Sequence, residues 1–190
     1  MKRIIVLTIS ALMLISLLSA GKMFDCKMNE IAEKYLEIQV MLALDKTDDV
    51  VKNAAAIAEL SKEIDMSKVS EEHKMHFADL PEKIGMSAQN LSEAKDIKAM
   101  RAAFKDLSKP MAMWASMMLP AGINVVYCSM APGSWLQTGK EIMNPYYGSS
   151  MLHCGSIVSE GKEDCESECP ESKCTEKIEK RGCNDKRLHH

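Results

Sequence analysis

Residues 88–118 read AQNLSEAKDIKAMRAAFKDLSKPMAMWASMM. Within them Ala88, Leu91, Ala94, Ile97, Met100, Ala103, Phe104, Leu107, Met111, Trp114, Met117 and Met118 recur at three- and four-residue steps. A helix turns every 3.6 residues, so this spacing gathers the apolar side chains into one stripe. Pro110 lies inside the run and is expected to kink or divide the helix, because proline removes a backbone donor and its ring crowds the preceding turn. Pro120-Ala121-Gly122 closes it.

The same period extends towards the N-terminus. Ile31, Tyr35, Ile38, Met41 and Leu42 mark one face of a helix over residues 29–44. Lys46-Thr47-Asp48-Asp49 interrupts it, with Thr47 or Asp48 expected to cap a second helix through Val50, Ala54, Ile57, Ala58 and Ile64. Ser70-Glu71-Glu72 opens a shorter helical stretch through Phe77 and Leu80 that Pro81 is expected to end, with a restart near Ser87. Helices joined by short polar connections predict a mainly α fold, an up-and-down helical bundle of about four helices.

After Gly122 the character changes. Ile123 to Tyr127 is a short β-branched run, and Cys128 to Gly155 is rich in Gly, Pro, Ser and Asn. This predicts a small irregular C-terminal cap with about two short strands. Beyond Ser159 the chain is charged and polar, with Ile178 and Leu188 as its large aliphatics, and its composition predicts a disordered tail.

At the other end, Met1-Lys2-Arg3 precedes an uncharged run from Ile4 to Ala20. A basic start, an apolar stretch and small residues near its end are the layout of a signal peptide, here residues 1–21 with cleavage near Ala20 or Gly21. The competing reading is an uncleaved anchor, since the run is close to the minimum of about 17 residues for a spanning helix. The expected division is therefore 1–21 signal peptide, 22–158 helical domain with its cap and 159–190 tail. No other stretch is apolar enough to span a membrane, and the expected location is periplasmic or secreted.

Without Lys2 and Arg3 the basic count falls from 24 to 22 against 27 acidic residues, a net charge of about −5 that argues against nucleic acid as a partner. Of the seven cysteines, Cys26 alone precedes position 128. In an exported chain cysteines normally form disulfides, but an odd number leaves at least one for a metal, a partner or a free thiol.

The stretches Tyr127-Cys128-Ser129-Met130, Trp135-Leu136, Asn144-Pro145-Tyr146-Tyr147-Gly148 and Met151-Leu152-His153-Cys154-Gly155 resemble the domain of unknown function 3347 family. Asp96 to Phe104, followed by Leu107-Ser108, is similar to that family's last helix. The resemblance spans roughly residues 30–157, strongest in the C-terminal motifs, with Ser129 standing where the family usually has proline. It implies a helical domain found alone in exported proteins or attached to periplasmic adaptor subunits of heavy-metal efflux systems. It implies no established activity.

The chemistry of the cap suggests a metal independently. Cys128-x-Met130 and Met151-x-x-Cys154 offer two thiolates and two thioethers, soft donors that select Cu(I) or Ag(I) over harder ions. His153 and Met143 are further candidate ligands. Against this stands a Cys128–Cys154 disulfide that staples the cap over packed methionines. A catalytic thiol would need a base, and His153 is adjacent to Cys154 in sequence only.

Other motifs have plainer explanations. Cys165-x3-Cys169-x4-Cys174-x8-Cys183, with His189-His190, matches no paired Cys-x2-Cys zinc spacing and reads equally as local disulfides or a metal-scavenging tail. Met111, Met113, Met117 and Met118 are most simply adaptable core residues, although a methionine surface that passes Cu(I) to a partner has the same composition. His73 and His76 lack a third ligand. Trp114 reads as core, whereas Trp135 either shields a bound ion or lids the bundle. A phosphate loop, a nucleophile elbow and a His-Glu-x-x-His are all missing, so no enzyme is expected. The expectation is an exported Cu(I)/Ag(I) binding or handover module serving a periplasmic efflux adaptor or another exported protein. The alternative is a disulfide-held interaction domain.

Overall fold

The computed structural model describes residues 24–66 and 71–161. The expected signal peptide and the four tail cysteines lie outside them.

Helix α1 runs over residues 24–43, five residues earlier than the periodicity from Asn29 suggested. Phe24, Met28, Ile31, Tyr35, Ile38 and Leu42 step along one face and are all buried. Each such side chain contributes about 1.5–3 kcal/mol by leaving water. The connection to α2 (Val50–Lys62) is tight, with Asp45 and Asp49 both at positive φ, a conformation that aspartate adopts more readily than most residues. Asp49, not Thr47 or Asp48, occupies the N-cap position, and its side chain makes no capping bond.

Two prolines behave differently from their expected roles as breakers. A short α3 (Glu71–Phe77) is followed at once by α4 (Leu80–Ser92), so Pro81 opens a helix where it was expected to end one. In the first turn its missing N–H has no intrahelical acceptor to lose, and its fixed φ suits the helix. No restart near Ser87 is needed. Pro110 sits within a single α5 (Ile97–Met118) that is not divided. The proline costs the Asp106 carbonyl its helical partner, at a residue that is exposed. The Asp96 carboxylate caps α5 by accepting from the Ala99 N–H at 2.9 Å.

The fold is mainly α, a bundle of four principal helices, α1, α2, α4 and α5, with α3 as a connector of about two turns. Helix α2 packs on α4, and α4 on α5. The C-terminal part is more regular than its composition suggested. Strands β1 (Ile123–Cys128), β2 (Gly133–Thr138) and β3 (Ser156–Ser159) form an antiparallel sheet in the order β2-β1-β3. In the hairpin Val126 pairs with Trp135 and Cys128 with Gly133, and β1 pairs with β3 through a bulge at Val125/Val126. The sheet packs against α5. Within the described residues no helix is long and apolar enough to cross a membrane.

Candidate metal and thiol site

A hydrogen-bonded relay sets the sheet on the bundle. The Leu136 N–H donates to the Tyr35 hydroxyl at 3.2 Å, Tyr35 donates to Ser108 Oγ at 2.6 Å, and Ser108 donates to the Phe104 carbonyl at 2.8 Å. Every member is buried, so each bond replaces water that the group cannot reach. Burial first, then the neighbouring Tyr146, pushes the Tyr35 hydroxyl well above the ordinary tyrosine range, which keeps it a neutral donor.

A second anchor fixes the loop after β2. Arg101 donates to the carbonyls of Leu42 at 2.8 Å and Pro145 at 3.2 Å and pairs with the Asp45 carboxylate. Asp45 also accepts from the Ser149 N–H at 3.1 Å. Gly148, at φ 57°, lies against Asp45 and Arg101, where a β-carbon would collide with both. The Gln39 amide donates to the Met143 carbonyl at 2.6 Å, and Gln137 bridges Trp135, Glu141 and Met143.

Asn144 is fully buried and organises the turn that carries Cys154. Its amide donates to the Cys154 carbonyl at 2.8 Å, its side-chain oxygen accepts from the Tyr146 N–H at 2.8 Å, and its backbone N–H donates to the Leu152 carbonyl at 2.7 Å. Gly155, at φ 152°, completes the approach. A β-carbon there would come within 2.7 Å of the Trp135 ring and 3.1 Å of Val126.

The outcome is a pair of facing thiols. Cys128, at the end of β1 and only 1 % exposed, lies with its sulfur 2.9 Å from that of the half-buried Cys154, and both are free. The Ala131 N–H donates to the Cys128 sulfur at 3.4 Å. Burial alone would push the Cys128 thiol up. The Cys154 thiol, the N–H groups of Ala131 and Met130 and the Asn144 side chain outweigh it and hold Cys128 below the ordinary thiol range. Cys154 rises correspondingly, through its contact with Cys128 first and burial second. Cys26, in contrast, is disulfide-bonded.

Of the five residues expected at the site, the structure therefore brings Cys128 and Cys154 into contact. Met130 adjoins the pair in the turn after β1 but is 63 % exposed, and its carbonyl accepts from the Tyr147 hydroxyl at 3.3 Å. Met151 is half-buried, its carbonyl accepting from the Cys154 N–H at 3.1 Å. His153 is exposed and donates from Nδ1 to the Ile142 carbonyl at 2.9 Å, which leaves Nε2 as its available donor atom. Met143 contributes its backbone to the Gln39 and Gln137 bonds. Among the described residues no three His, Cys, Asp or Glu side chains cluster as a metal centre.

Sequence reasoning passed over Asp45 and Gln39, met Tyr35 only as a residue of an apolar face, and met Arg101 and Asn144 only as parts of motifs. The available signal was an arginine on the mostly apolar face of α5 and an Asn-Pro turn in a Gly-rich loop.

Residues 31–118 match the model of a family described as protein of unknown function, DUF3347. The match runs from within α1 to the end of α5 and stops before β1, so the cap motifs that suggested the resemblance lie outside it. Neither the curated proteins nor the solved structures contain a match to the chain.

Proposed function

We propose that this chain, whose helical segment belongs to the DUF3347 family of proteins of unknown function, is an exported module that binds a soft metal ion, Cu(I) or Ag(I), and hands it to a partner. It acts as a carrier with no reaction of its own. The observation that carries this reading is the 2.9 Å approach of Cys128 and Cys154, two thiols 26 residues apart in sequence. Thiolates are the donors such ions prefer, and N–H groups aimed at the Cys128 sulfur favour its deprotonated form. Met130, exposed at the rim, is suited to take an incoming ion or release it, with Met151 and His153 as further donors nearby in sequence. Export rests on the sequence of residues 1–21 and suits a periplasmic efflux adaptor or another exported protein as the recipient.

The test is an anaerobic Cu(I) titration of the reduced mature protein against a chromophoric competitor, beside Cys128→Ser. The tail cysteines are common to both proteins, so the difference between the two curves isolates the cap. One equivalent lost in the variant is the expected result. Identical curves would remove the metal reading.

A second reading is favoured by the same distance, because 2.9 Å is closer than two sulfurs sit without an interaction. In it, a Cys128–Cys154 disulfide holds a docking surface that includes the exposed Tyr127, Met130 and Tyr147. Peptide mapping of the protein as isolated from its native compartment, showing that bond and no bound metal, would favour it.

A further inference from the structure

We infer that Cys128 and Cys154 form a redox gate on the soft-metal site, the dithiol taking the ion and a reversible disulfide between the same two sulfurs excluding it. The inference rests on the proposed metal-binding function and adds its regulation.

Three observations carry it. The first is the separation. A disulfide needs about 2.05 Å between the sulfurs, and at 2.9 Å the pair lies roughly 0.9 Å from that bond, while a shared metal ion would hold the sulfurs further apart than they now stand. Side-chain rotation covers that distance without unfolding the sheet.

The second is the unequal support of the two cysteines. Cys128 belongs to a strand paired on both sides, in register with Gly133 of β2 and next to the Tyr127–Ser156 pair with β3. Cys154 sits in a turn held by the Met151 carbonyl and the Asn144 amide. One sulfur is fixed, and the other is carried by the segment better able to adjust.

The third is access. Cys128 is buried, while Cys154 is half-exposed and meets a soluble oxidant first. With a low-molecular-weight disulfide, R–S–S–R, as oxidant, Cys154 gives its proton to solvent. Its thiolate attacks one sulfur of the reagent, forming Cys154–S–S–R and releasing one thiolate, RS⁻. Cys128 then loses its proton and attacks the Cys154 sulfur, and the second RS⁻ leaves. Two protein thiols are oxidised, R–S–S–R is reduced to two RSH, and both protons are accounted for. The resulting disulfide has no thiolate left to bind a soft ion.

The experiment uses the full mature chain. It is equilibrated with oxidised and reduced glutathione at set ratios, the Cys128 and Cys154 peptides are scored by differential alkylation and mass spectrometry, and each sample is then titrated with Ag(I), which itself undergoes no redox change under these conditions. The expected result is one Ag(I) equivalent that disappears as the Cys128–Cys154 disulfide forms, returns on reduction and is lost permanently in Cys154→Ser. If the reduced protein binds that equivalent and the oxidised protein binds it equally, the metal reading survives and the gate is overturned. The gate is also overturned, alone, if the pair resists oxidation at every ratio. If the fully reduced protein matches Cys154→Ser in Ag(I) uptake, the metal reading itself fails and the gate with it.

Discussion

The Asp45 carboxylate accepts a hydrogen bond of 3.1 Å from the Ser149 N–H, 104 residues further along the chain. It ties the end of α1 to the turn that leads into Cys154. The Ser149 hydroxyl, then the Arg101 guanidinium, then that N–H hold the Asp45 carboxyl down at about 2. A carboxyl lowered on folding stabilises the folded state above its unfolded pKa and ceases to do so as pH falls through its folded value. The Tm advantage of wild type over Asp45→Asn is therefore expected to be full above about pH 4 and to vanish near pH 2. A difference that stays constant from pH 7 to pH 2 would show that the charge is not what matters.

Arg101→Leu strips the donor from the Leu42 and Pro145 carbonyls and from Asp45. A loss of about 1–3 kcal/mol is expected in urea unfolding, the usual cost of leaving a partly buried acceptor unmet. Hydrogen exchange should quicken first at Gly148 and Ser149. Exchange unchanged there would mean the loop is held by other bonds.

Tyr35→Phe removes one hydroxyl and leaves the buried Leu136 N–H without its acceptor. The ring still packs against Phe104, with centroids 4.7 Å apart, so the loss of about 1–3 kcal/mol measures the relay rather than the core. A stability equal to wild type would mean that water fills the gap.

Gly155→Ala combines a backbone angle that L-residues rarely adopt with a collision against Trp135. Destabilisation by about 1–3 kcal/mol is expected, together with faster alkylation of Cys128 as the strand and turn part. Protection of Cys128 at the wild-type rate would count against the role given to this glycine.

Met130→Leu is the contrasting case, because the side chain is exposed. Unfolding free energy should stay within about 0.5 kcal/mol of wild type, as for most surface changes. If Met130 supplies a thioether, Cu(I) affinity or transfer rate falls all the same. A variant equal to wild type in both would restrict the proposed ligands to the thiols and the remaining candidates.

The bundle was readable in the sequence because a buried face repeats with the helix itself: Tyr35, Ile38 and Leu42, or Phe104, Leu107 and Met111, declare their side locally. Pro81 misled because the same ring that ends one helix suits the first turn of the next. The cap was read as irregular because its strands are short and Trp135, Leu136 and Gln137 are buried in succession, leaving no clear alternation. The thiol pair was expected from donor chemistry. Its supports were not, because a bond such as Asn144 to the Cys154 carbonyl or Arg101 to Leu42 leaves no period in the chain and exists only once distant segments have met.

Tyr35 must find Leu136, and Asp45 must find Ser149, before the sheet has a seat on the helices. These contacts close loops of roughly a hundred residues, which come late in folding because the entropy of closure precedes any gain from it. A chain still emerging from a ribosome or a membrane pore can form helices, but until the segment through Cys154 is free it has no opposed sulfurs. The thiol pair thus takes its place on the helices only after the most distant segments of the described fold have met.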